Sequence, residues 1–197
     1  MSRSVTTTEL ITQIDAVVAR MEILVRGLNQ DSLAWRPRPD SWSIIECLDH
    51  VNRTVSIYLK SMRVAFERER HNASLPPKAF RVGILGGQFA RFLDPPYRVK
   101  SKAPEGILPP SNLKKSEVEA EFYRIRLDLR GFLLEASRVD MGSIRFASPL
   151  AGILKLNLAE GCLIMAAHDR RHLWQAENVL KSPGFPNAPG PSASSAS

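Results

Sequence analysis

The sequence predicts an all-α protein, a four-helix bundle, and three observations carry that prediction. Four segments place apolar residues at alternating spacings of three and four, which lays them along one face of an α-helix. No segment sustains the period-two alternation of a half-buried strand; only Ile144-Arg145-Phe146-Ala147 reads as a short extended piece. At 197 residues, 44% apolar and 24% charged, the chain can bury one real core and is not composed like a disordered one.

The first helix is expected from Thr7 to about Asn29, with Leu10, Ile14, Val17, Met21, Leu24 and Leu28 on its inner face. Thr6 and Glu9 have the capping-box spacing, and Gly27 with the polar run after it marks the exit. Ser43 and Glu46 form a second box, and Ile44, Leu48, Val51, Val55, Tyr58 and Met62 carry the second helix to about Arg70. The third is expected from Ser116, with Glu119 completing its box and Val118, Phe122, Ile125, Leu129, Phe132, Ala136 and Val139 inside. The fourth starts near Asn157 with Glu160, carries Leu158, Met165, Val179 and Leu180, and ends at Lys181-Ser182-Pro183-Gly184. Helices of about 24 residues are about 36 Å long and can bury such stripes only against one another.

Between the second and third helices lies a long Pro-rich insertion, about residues 71–110, whose middle, Phe80 to Leu93, is apolar enough for a short packed helix. From Lys78 to Lys102 it holds six basic residues (Lys78, Arg81, Arg91, Arg98, Lys100, Lys102) against Asp94 alone. Most of the formal net charge of +7 arises there. Residues 1–182 read as one domain, and 183–197, rich in Pro, Ala, Ser and Gly, as a disordered tail.

Composition excludes several classes. No apolar run approaches the roughly 18–20 residues of a membrane-spanning helix, and the N-terminus lacks the apolar stretch of a signal peptide. Cys47 and Cys162 are too few for a disulfide framework, so two reduced thiols in a cytoplasmic protein are expected. There is no Gly-rich phosphate loop, no Gly-x-Ser-x-Gly and no His-Glu-x-x-His, and Gly83-x-x-Gly86-Gly87 lacks the dinucleotide-binding spacing. A di-iron site needs several buried carboxylates, whereas the third helix offers surface-type glutamates.

The histidines carry the functional signal. His168 and His172, four apart, share one face of the fourth helix and continue its inward stripe, while His50 flanks the inward stripe of the second. Three imidazoles from two facing helices would leave a fourth tetrahedral position open, as catalytic sites do. Taken alone, His-x-x-x-His is a weak signal, and core histidines bonded to a carbonyl or carboxylate are commoner.

Trp35-Arg36-Pro37 and Ser41-Trp42-Ser43-Ile44, leading to Glu46 and His50, resemble the first signature of the DinB-like (YfiT-like) superfamily. His168-Asp169-Arg170-Arg171-His172-Leu173-Trp174-Gln175 is similar to its second, His-x-x-x-His-x-x-Gln, and Lys100 to Pro104 with Pro109-Pro110 is similar to a loop of many members. The resemblance, from about Leu10 to Leu180, implies a four-helix bundle that holds one divalent ion through three histidines, usually as a homodimer. By matching position His50, His168 and His172 are the implied ligands; the ion is zinc, nickel, iron or manganese.

Around them, Glu46 either takes the proton of the non-ligating nitrogen of His50 or serves only its capping box. Gln175 polarises a ligand or bridges two helices. Asp169 is expected on a solvated Asp-Arg-Arg face, Trp42 and Trp174 in packing, and His71 in solvent. Cys47 is a conceivable fourth ligand but reads better as core, and Cys162 points elsewhere. The leading function is a metal-dependent enzyme under a lid formed by residues 71–110, for which the resemblance implies a hydrolase or thiol-dependent S-transferase type. Its substrate is an unknown small molecule, with a low-molecular-weight thiol as possible second substrate. No separate nucleophile or general base is legible. The competing function is a non-catalytic module whose insertion, with Phe80, Phe89, Phe92 and Tyr97 among its cations, binds nucleic acid or an anionic surface.

Overall fold

The structure is a computed structural model that describes residues 3–96 and 103–186. Its long helices are α1 (Thr7–Val25), α3 (Ile44–Glu69), α5 (Lys115–Ala136) and α6 (Leu158–Leu180). α1 and α3 each pack against both α5 and α6, so every apolar stripe finds a partner. The mostly helical expectation holds, and the capping boxes Thr6/Glu9, Ser43/Glu46 and Asn157/Glu160 form at the starts of α1, α3 and α6.

The start of α5 corrects the expected box at Ser116 and Glu119. The helix begins one residue earlier, after Lys114, with no side-chain cap of its own. Gln30 supplies it instead: its amide oxygen accepts from the Lys115 N–H at 2.7 Å and its amide nitrogen donates to the Leu113 carbonyl at 3.0 Å. Gln30 opens α2 (Gln30–Ala34), a five-residue helix absent from the periodicity reading. α1 therefore stops at Val25 rather than near Asn29, because Gly27 turns the chain with φ +75° and Asn29 caps α2.

Two antiparallel pairs of three-residue strands complete the described fold. β1 (Arg3–Val5) pairs with β2 (Phe80–Val82), and β3 (Arg145–Ala147) with β4 (Lys155–Asn157). Within residues 71–110, α4 (Ile84–Leu93) packs on α6, and a single 3-10 turn (Glu105–Ile107) reaches α3. Arg170 of α6 holds α4 by its bond to Asp94 at 2.6 Å. Residues 98, 100 and 102 of the basic run, and Tyr97, lie outside the described residues. So does 187–197 of the expected tail, but Phe185 packs edge-on against Trp35 at 5.6 Å.

The apolar interior falls into two clusters, and the boundary crosses each long helix. It falls between Ile14 and Val17 in α1, Val51 and Val55 in α3, Phe122 and Ile125 in α5, and Ala167 and Leu173 in α6. The buried polar side chains of these helices concentrate at that boundary.

Candidate metal centre

His50, His168 and His172 meet at this boundary. Their ring centroids are 4.5 Å apart for His50–His172 and for His168–His172, and 5.1 Å for His50–His168. One donor atom from each ring lies within 4.8 Å of the other two, close enough for a single ion to engage all three. His50 and His172 are buried, while His168 retains some solvent exposure.

Burial lowers the proton affinity of all three rings, well below the ordinary value for His168 and His172. The rings also oppose protonation of one another, and the Arg171 charge adds to that. Neutral imidazoles with available lone pairs are the form a cation needs.

His50 is oriented by the insertion. Its Nδ1 lies 2.9 Å from the Ile107 carbonyl, an acceptor only, so Nδ1 carries the proton and Nε2 keeps its lone pair toward the cluster. Nδ1 of His168 and Nδ1 of His172 are buried without a hydrogen-bond partner among the described residues. Unpaired polar atoms in a dry interior cost about 1–3 kcal/mol each, and a bound cation changes that balance for a cluster of nitrogen donors. The donor set thus fits a divalent ion.

Glu46 does not serve His50. Its carboxylate closes the Ser43 capping box and takes Arg36 Nε at 2.9 Å, with Arg36 Nη2 on its second oxygen. Burial pushes this carboxyl up, but the bonds from Arg36 and Ser43 outweigh it and hold it below the ordinary value. Gln175, beside His172, works weakly against the burial and favours protonation of that ring. Cys47 and Cys162 are fully buried thiols, with Cys162 pushed by burial up to about 12, so neither offers a thiolate. His71 is exposed beyond α3.

Asp169 is the main correction. It is 2% exposed and forms a two-pronged pair with Arg126 of α5, Nη2 to Oδ1 at 2.8 Å and Nε to Oδ2 at 3.1 Å. Arg126 also donates to Asn52 Oδ1 at 2.5 Å and lies over the Phe122 ring at 3.6 Å. The charge run at 169–171 misled because α6 is no surface helix: from Leu158 to Ala167 every residue is buried. An ionisable residue there meets another helix, not water. Trp42 is likewise more than filler, with its ring 4.7 Å from that of His50 and stacked at 5.7 Å on that of His172.

The sequence pattern of the DinB superfamily matches residues 13–176, a span that contains all three histidines, the whole of α3 and α5 and most of α1 and α6. The chain belongs to the DinB superfamily. No curated protein and no solved structure matches it. Among the described residues of this DinB-superfamily chain, no helix is long and apolar enough to cross a membrane.

Proposed function

We propose that this DinB-superfamily protein is a cytoplasmic metal-dependent enzyme on a four-helix-bundle scaffold, with His50, His168 and His172 as the ligands of one divalent ion. The observation that carries the reading is the convergence of three imidazoles, two of them with a buried ring nitrogen that has no hydrogen-bond partner among the described residues. When bound, the ion supplies Lewis acidity and lowers the pKa of a water or thiol that reaches it. The chain's own residues do the rest. Ile107 holds the His50 tautomer, Gln175 lies beside His172, and Trp42 closes the cluster on one side. Arg171 is buried near the rings, and its positive charge helps to keep them neutral.

The reaction is proposed as hydrolysis or thiol S-transfer, and the active species as a two-fold homodimer, the commonest closed assembly. Engagement of the insertion with the site favours a lid over a free nucleic-acid-binding arm: Ile107 bonds His50, and α4 packs on α6. Elemental analysis of untagged protein is the direct test. About one equivalent of zinc, nickel, iron or manganese, lost in His50→Ala, supports the reading. Metal-free protein that also fails to take up any of the four at micromolar concentration overturns it.

A further inference from the structure

Many of the arginines on this surface are paired with acids. Arg20, Arg53, Arg124, Arg130 and Arg170 each meet a carboxylate within 3.4 Å. In the groove between the C-terminal half of α3 and the β3–β4 hairpin, Lys60, Arg145 and Lys155 have no carboxylate partner among the described residues. Arg68, the fourth cation there, meets only its chain neighbour Glu69. No acid lines this groove, which encloses about 560 Å³.

We propose that the groove binds a small organic polyanion of nucleoside-polyphosphate type, an apolar body carrying two or more phosphates. Its two walls are both basic. On α3, Lys60, Val64 and Arg68 fall at i, i+4 and i+8, a row about 12 Å long on one helix face. On the hairpin, Ala147 opposes Lys155 and Arg145 lies two residues before Ala147, so Arg145 and Lys155 share a face. The floor is apolar: Phe146 is buried and held edge-on to Tyr58 at 6.2 Å. Three cations without an acid partner, beside Arg68, make the local potential positive, which favours an anion among them. Arginine forks match phosphate oxygens, while the floor accepts a flat apolar body, and the volume is ordinary for a ligand pocket. Lys60 stands ten residues beyond His50, about 15 Å along α3, so this groove is separate from the histidine cluster.

The test is calorimetric titration of the full chain at low salt with ATP as probe, beside inorganic triphosphate and an octaglutamate peptide. The expected result is one ATP per chain, bound more tightly than either comparator. Lys60→Glu/Arg145→Glu should weaken binding about tenfold or more. Lys78→Glu/Arg91→Glu, an equal charge change at exposed positions elsewhere, should leave it within about twofold. Melting of each variant shows whether it is folded; if the groove pair is not, Lys155→Gln is read instead, with a loss of about threefold or more expected. No ATP binding at millimolar concentration overturns the proposal. So does equal loss in both variant pairs, loss in neither, or tighter binding of triphosphate or peptide than of ATP.

Discussion

At the scale of single residues, the histidine cluster has an optical reporter beside it. Trp42 lies against His50 and His172, while Trp35 packs on Phe185. Open-shell ions quench indole emission over short distances, so nickel added to apo protein should quench the wild type. Trp42→Phe should lose most of that response while binding the same equivalents of nickel; an undiminished response would place the ion elsewhere. The buried Arg126–Asp169 pair answers to a different measurement. Removing one member of a buried pair strands the other charge and costs about 3–5 kcal/mol, whereas an apolar pair of similar volume is often neutral. Asp169→Leu should therefore lower urea stability by about that amount, and Asp169→Leu/Arg126→Met should recover most of it. Equal losses in the single and double variants would mean that packing, not charge, sets the cost.

Among the elements, the single turn Glu105–Ile107 ties the insertion to the histidine cluster through one carbonyl. The Ile107 side chain is 2% exposed and anchors that turn. Ile107→Gly should weaken metal affinity about 10–100-fold, the usual loss when an orienting partner of a ligand goes, with helix content unchanged. Ile107→Val should restore affinity, and a Gly variant with full affinity would remove the turn from the site. This contact also shows what sequence hides. A backbone carbonyl has no residue signature, so nothing in Ile107 announced a partner for His50. The capping boxes at Thr6, Ser43 and Asn157 were legible because both partners lie three residues apart. The start of α5 was not, because its cap comes from Gln30, across 85 residues. His50, His168 and His172 were legible through spacing and motif together. Asp169 was misread because periodicity reports one helix face, while α6 is enclosed on nearly all sides.

Across the whole molecule, two apolar clusters sandwich a polar layer, and stability depends on how that layer is charged. The folded state depresses the histidine pKa values, so between the folded values and the ordinary 6.5 the unfolded chain binds protons that the folded chain refuses. Apo-protein stability should thus fall as the pH drops below about 6.5, where the unfolded chain takes up protons that buried His168 and His172 refuse. Denaturant titrations across pH should show this slope in chelated wild type and a flatter one in His168→Leu/His172→Leu. The same layering decides whether the site serves folding or function. Structural metal sites supply folding energy outright, and their proteins unfold without metal. Here, dozens of buried apolar side chains, each contributing about 1.5–3 kcal/mol of transfer free energy, lie above and below the histidines without involving them. His172→Ala should therefore abolish tight metal binding and metal-dependent activity, yet leave a helical chain with cooperative unfolding. Metal should raise the wild-type melting temperature roughly with the logarithm of its free concentration, since it binds only the folded state. Circular dichroism melting of holo, chelated and His172→Ala protein, beside their metal contents, makes the comparison. An unfolded chain on chelation would make the site structural and remove the main physical support for an enzyme.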